Sequence, residues 1–152
     1  MDKIRSREVE RIFTGDVANW ATVNGRSGAI SIYTRNTSSG TYAVFQDMAL
    51  RKRDYAPSSQ KMAGNEQIAS EVAKNPNGIG YVGLAYIGTP GVNPLPVDGI
   101  KPDNREYPYA RPLYFYHNAN SKMRPIVGRF VEFCLSKEGQ KIVESVHFIP
   151  VN

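Results

Sequence analysis

Ile30-Ser31-Ile32-Tyr33-Thr34-Arg35-Asn36-Thr37-Ser38-Ser39-Gly40-Thr41 is the stretch whose reading decides the fold. Ile30 to Tyr33 alternate apolar and polar residues, the pattern of a strand. Arg35 to Thr41 then make a polar loop with one glycine. From Tyr42 onward, Val44, Phe45, Met48 and Ala49 recur at helical spacing. A strand, a hydroxyl-rich loop and a helix start form a holder for a tetrahedral anion, because backbone N–H groups and the positive end of the helix dipole face the ligand. Ser39 and Thr41 add hydroxyls, and Arg35 adds a permanently charged planar fork that can grip two oxygens. The plainer reading is that Ser39 caps a helix and nothing more, a common use of Ser-Gly-Thr runs.

Working outward, Ser6 is placed to cap a short helix with Val9, Ile12 and Phe13 on its buried face, stopped by Thr14-Gly15-Asp16. Trp20 lies in a turn-rich stretch ending at Asn24-Gly25. Residues 52–64 are polar and read as surface loop. A helix is expected from Asn65 to Lys74 with Ile68 and Val72 inward. After the turn Asn75-Pro76-Asn77-Gly78, Ile79 to Leu84 read as a strand whose glycines imply close backbone packing. Gly88 to Pro112 form an irregular connector, with a short strand near Leu95 to Val97. Leu113-Tyr114-Phe115-Tyr116 read as an aromatic strand. Pro125 opens a helix with Ile126, Val127, Phe130, Val131 and Cys134 inward, and Ser136 caps another carrying Ile142, Val143 and Val146. Alternating strands and helices imply an α/β domain around a mixed, mainly parallel sheet flanked by helices.

The chain has 152 residues, a net charge of +5, and 41% hydrophobic and 22% charged residues, which is ordinary for a folded domain. The basic balance favours anionic partners. Its tightest cluster, Arg51-Lys52-Arg53, reads as a solvated helix end, and no basic stripe interleaved with aromatics is present, so no nucleic-acid partner is expected. One cysteine excludes an internal disulfide, and Cys134 is expected to be a buried structural thiol. His117 and His147 lack metal-ligand spacing, so neither a metal nor another cofactor is expected. No nucleophile is paired with a histidine, and no catalytic residue is assigned. Met1-Asp2-Lys3-Ile4-Arg5 do not lead into the apolar core of a secretion signal.

Five blocks, in order, resemble the substrate-binding proteins of ABC-type phosphate importers, within the bilobed periplasmic binding protein superfamily. They are Val9 to Trp20; Ile30 to Arg35 with Ser39-Gly40-Thr41; Asn75 to Gly83; Tyr107-Pro108 with Arg111 to Phe115; and Phe130 to Gln140 with Phe148-Ile149-Pro150-Val151. The resemblance implies a non-catalytic phosphate-binding role, with Arg35, Ser39, Gly40 and Thr41 as the ligand-holding residues of a second lobe. Arg35 would neutralise charge, Ser39 and Thr41 would donate hydrogen bonds, and Gly40 would donate an amide while allowing close approach. Trp20 would be a structural anchor. The resemblance further implies ABC importer membrane subunits as partners and a periplasmic or otherwise extracytoplasmic location.

Two positions depart from the family pattern. Thr37 stands where many members carry an aspartate that orients the arginine, and His147 stands where a glycine is usual. The first lobe of the family, with the carboxylate that accepts the proton of hydrogen phosphate, has no counterpart here. The expectation is therefore a fragment or a shortened relative that binds weakly, with residues 1–116 as the anion-binding second lobe. Residues 117–152 would be a helical segment that in the family packs on the first lobe. The alternative is a repurposed scaffold serving as an interaction or sensory module without transport. Ile126, Phe130, Val131, Ile142 and Val143 present an apolar face that needs covering, and self-association as a homodimer is expected over an intramolecular seat.

Overall fold

The computed structural model describes residues 2–151. The chain divides into two compact units, Met1–Ala110 and Arg111–Asn152. The first is built on a three-stranded parallel sheet in which β1 (Ser31–Arg35) is central, between β2 (Gln60–Met62) and β3 (Gly78–Gly80). The register pairs Tyr33 with Gln60 on one side and Ile32 with Ile79 on the other. Among the described residues antiparallel pairing is confined to isolated bridges, Asn19 with Ala29 and Val97 with Ile100. Ile32, Tyr33 and Thr34 are all buried, as befits a central parallel strand covered on both faces.

Helices α1 (Ser6–Phe13), α2 (Gly40–Leu50) and α3 (Asn65–Lys74) complete this unit. Val9, Ile12 and Phe13 form the buried stripe of α1 as their spacing predicts. Its cap differs from expectation. Arg5 occupies the N-cap, its amide donates to the Glu8 carboxylate at 2.8 Å, and the Ser6 amide donates to Asp98 at 3.0 Å. Carboxylates thus serve the orphan donors, and the Ser6 hydroxyl is not needed. The core joins α1 and α2 to the segment after β3 through rings: Phe13 meets Phe45 edge-on at 5.0 Å, and Phe45 stacks on Tyr81 at 4.1 Å. Trp20 is buried, and its indole N–H donates to the Asn77 carbonyl at 3.0 Å, in keeping with a structural anchor.

Strand β2 falls inside the stretch read as loop. Gln60-Lys61-Met62 carries no apolar alternation because it lies at the sheet edge with its side chains largely outside the core. Within α3, Ile68 and Ala69 are the buried pair, while Val72 is only half-buried. Gly80 confirms close packing: a Cβ there would strike the Cγ2 of Ile68 and lie 3.2 Å from the Tyr33 carbonyl.

The second unit contains α4 (Pro125–Leu135) and α5 (Lys137–Ser145). Pro125 stands in the first turn of α4, and the Ser136 hydroxyl caps α5 by accepting the Gly139 amide at 3.2 Å, as expected. The inward positions expected for these helices are not buried. No residue of α4 is buried, Ile126 and Phe130 are more than half exposed, and Cys134 is half-buried. Ile142 and Val146 are likewise open. Leu113 to Tyr116 form no strand; among the described residues they have no ladder partner, and all four are exposed. What orders this unit is Gln140. Its amide donates to the Cys134 carbonyl at 2.7 Å and accepts the Val151 amide at 2.6 Å, tying the end of α4 to the chain terminus.

Candidate functional site at the β1–α2 loop

Arg35 ends β1, and Gly40 begins α2, so the four expected residues lie on one short strand-to-helix turn. The loop is internally braced. The Asn36 amide donates to the Met62 carbonyl at 3.1 Å, anchoring the loop to β2. The Ser39 amide donates to the Asn36 carbonyl at 3.1 Å, and the Ser38 hydroxyl to the Asn36 side chain at 2.8 Å. Ser39 is the N-cap of α2 in extended conformation, its hydroxyl oxygen accepting the Tyr42 amide at 3.3 Å. The plainer reading of Ser39 as a cap is therefore correct as far as it goes. The cap uses a lone pair of the oxygen, however, and the hydroxyl proton remains available to an acceptor.

Gly40 is exposed, with nothing within 4 Å of where a side chain would begin. Its amide lies in the first turn of an 11-residue helix, where N–H groups have no intrahelical acceptor and the dipole is positive. Thr41 is half-buried in the same turn. Arg35 is half-buried, and among the described residues its Nε is a buried donor without an acceptor and its guanidinium makes no ion pair. Thr37, two residues after Arg35, is exposed. A permanent cation and a helix N-terminus five residues further along the chain are both groups suited in general to negative oxygen.

The backbone of Arg35 is held from an unexpected quarter. Its amide donates to the Tyr81 hydroxyl at 3.1 Å, and Tyr81 lies 3.2 Å from the Tyr55 hydroxyl, which reaches the Tyr42 carbonyl at 2.8 Å. Burial pushes the phenols of Tyr55 and Tyr81 up, so both stay protonated. Sequence reading missed this trio, since its members lie far apart along the chain and no spacing marks them.

A cavity of about 540 Å³ lies elsewhere, lined by Arg7, Glu10, Arg11, Asp16, Arg51 and Arg53. Arg51 caps the C-terminus of α2, the end opposite Gly40. Its charges are largely spent on one another: Arg53 grips Asp16 at 2.8 and 3.0 Å and reaches Glu10 at 3.3 Å, and Arg51 reaches Glu10 at 3.4 Å. Arg53 also holds the Asp16 carboxyl below the usual carboxylate range. Cys134, His117 and His147 all belong to the second unit. Among the described residues no group of His, Cys, Asp or Glu is arranged to hold a metal ion.

Residues 2–138 match the PBP superfamily domain, and the chain belongs to that superfamily. Among particular relatives, it is 31% identical over 153 residues to the phosphate-binding protein PstS of Pseudomonas aeruginosa, covering 90% of this chain and 47% of the relative. The identity to PstS of Bacillus subtilis is 30% over 152 residues, covering 97% of this chain and 50% of the relative. The chain thus spans about half the length of the curated relatives it matches. Its fold superposes with a TM-score of 0.87 on a phosphate ABC transporter substrate-binding protein with bound phosphate from Clostridium perfringens. That structure is 30% identical, and the match covers 100% of this chain and 64% of the other. PstS from Borrelia burgdorferi superposes with a TM-score of 0.77 at 26% identity, over 100% of this chain and 65% of the other.

Proposed function

We propose that this chain binds inorganic phosphate, or a similar tetrahedral oxyanion, as part of the substrate-binding protein of an ABC importer, and that it catalyses no reaction. The observation that carries the reading is the β1–α2 turn. There Arg35, with an unpaired buried Nε, precedes the Ser39 cap, the exposed Gly40 and the half-buried Thr41. Arg35 supplies charge neutralisation, the Ser39 and Thr41 hydroxyls supply directed donors, and the Gly40 amide meets an oxygen at close range. Relatives named as phosphate-binding proteins support the choice of ligand. The same kinship supports importer membrane subunits as partners and an extracytoplasmic setting. No helix among the described residues is long and apolar enough to cross a membrane. No observation favours the reading as a sensory or interaction module.

Residues 1–116 act in this proposal as the anion-binding lobe. Residues 117–152 act as the segment that packs on a first lobe. Isothermal titration of the chain and of Arg35→Ala with phosphate tests the site. The parent is expected to bind weakly, because Gly40 and Thr37 are open to water. Removing a charged donor should weaken binding by roughly 10- to 100-fold. Equal affinities would remove Arg35 from the site.

A further inference from the structure

We propose that Tyr81 and Tyr55 are positioning residues for the oxyanion loop, their hydroxyls forming a directed hydrogen-bond chain that ties the end of β1 to the first turn of α2. The inference rests on the phosphate-binding reading for its consequence, but not for its geometry. The loop has two ends, Arg35 on the strand and Tyr42 on the helix, and the three hydrogen bonds run from one to the other.

Proton bookkeeping gives the chain a direction. The Arg35 amide can only donate, so Tyr81 Oη accepts from it at 3.1 Å. The Tyr42 carbonyl can only accept, so at 2.8 Å it takes the single hydroxyl proton of Tyr55. The contact between the two hydroxyls, 3.2 Å long, must then be filled by the proton of Tyr81, donated to Tyr55 Oη. The order Arg35 N–H to Tyr81 to Tyr55 to the Tyr42 carbonyl is the one assignment that makes all three bonds. It leaves no hydroxyl proton unplaced.

The rings that carry these hydroxyls are fixed. Tyr55 and Tyr81 are each 8% exposed, Tyr81 stacks on Phe45 at 4.1 Å, and Tyr55 lies against Tyr42 at 4.4 Å. A chain of hydroxyls on immobile rings sets the spacing between Arg35 and the first-turn amides of α2 before any ligand arrives. Donors held in place in this way need not be ordered at the moment of binding.

The test uses the whole chain, with Tyr81→Phe, Tyr55→Phe and the double variant, and Tyr107→Phe as control. Tyr107 also spends its hydroxyl on a carbonyl, that of Leu95 at 3.2 Å, but lies outside the chain of bonds. In the ligand-free protein, amide hydrogen exchange at Arg35 should accelerate roughly 3- to 10-fold in Tyr81→Phe. It should also accelerate in Tyr55→Phe, although Tyr55 does not touch that amide. Tyr107→Phe should leave it unchanged at a comparable loss of thermal stability. Phosphate affinity should fall by a similar factor in each single variant, and the double variant should be little worse than either. Unchanged Arg35 exchange in Tyr55→Phe overturns the directed chain, and additive losses of affinity overturn the shared role. The exchange arm reads the chain whether or not the parent binds phosphate, so failure of the proposed function and failure of the relay are separate results.

Discussion

Gly80→Ala probes the seam that sets the height of β3 against α3, and with it the shelf from which Tyr81 projects. A Cβ at Gly80 would drive into the Cγ2 methyl of Ile68, with the Tyr33 carbonyl 3.2 Å and the Tyr33 Cβ 3.5 Å away. Neither neighbour can yield cheaply. Ile68 is 1% exposed and β-branched, so its rotamer is stiff, and Tyr33 is the ladder partner of Gly80 on the central strand. Overpacking of this kind costs about 1–3 kcal/mol. Replacing glycine returns about 0.5–1 kcal/mol through the unfolded chain, leaving a net loss centred near about 1 kcal/mol. Urea unfolding should show that loss as a lower midpoint at unchanged slope. Gly88→Ala, with nothing within 4 Å, should be neutral or mildly stabilising. The decisive comparison is Gly80→Ala in an Ile68→Leu background, which removes the Cγ2 methyl at a cost below about 1.5 kcal/mol. The two changes should then be less than additive by about 1 kcal/mol. Strict additivity, or a neutral Gly80→Ala, would refute the steric account.

Three further outcomes are expected. Burial raises the phenols of Tyr55, Tyr81 and Tyr109, and pushes Tyr107 up to about 12. Their contribution is fully present below the unfolded value of about 10 and is lost as pH rises toward the folded values. Each tyrosine still protonated in the fold costs about 1.4 kcal/mol per pH unit above about 10, so urea midpoints should fall steeply from about pH 10 to 11. A flat profile there would contradict the burial. His147→Gly should raise the urea midpoint, because His147 sits at φ 63, where an L residue is strained by about 1–2 kcal/mol and glycine is not. A lowered midpoint would mean that its side chain contributes more than its backbone costs. With Ile126 and Phe130 more than half exposed and Leu113 to Tyr116 open, the isolated chain should self-associate in sedimentation velocity at micromolar concentration. A clean monomer would refute it.

The parts of the fold legible in the sequence are those where burial and periodicity coincide. The stripe Val9, Ile12, Phe13 and the bounds of α3 could be read because each apolar residue faces a core that the same unit supplies. Edge strand β2 could not, since an edge position makes no demand for apolar residues and Gln60-Lys61 satisfies it with backbone bonds alone. The expected burial of Ile126 and Phe130 failed for a different reason. Helical spacing of apolar residues reports that a face exists, and says nothing of whether this chain covers it. His147 shows the converse: nothing in the residue type marks the left-handed backbone it adopts, a conformation that favours glycine.

The candidate site divides along the same line. The proposed donors are local: Arg35, Ser39, Gly40 and Thr41 are nominated from one loop, and of these readings the Ser39 cap is the one the structure shows. The brace proposed for them is non-local. Tyr81 reaches Arg35 from 46 positions away, and Tyr55 reaches Tyr42 from 13. A receptor for a small, strongly hydrated anion depends on this second group, because flexible donors must be ordered against their own entropy on binding. Loop residues that touch ligand can therefore be nominated from their chemistry alone. The residues that decide how well they grip it emerge only once the chain has brought distant hydroxyls within 3.2 Å of each other.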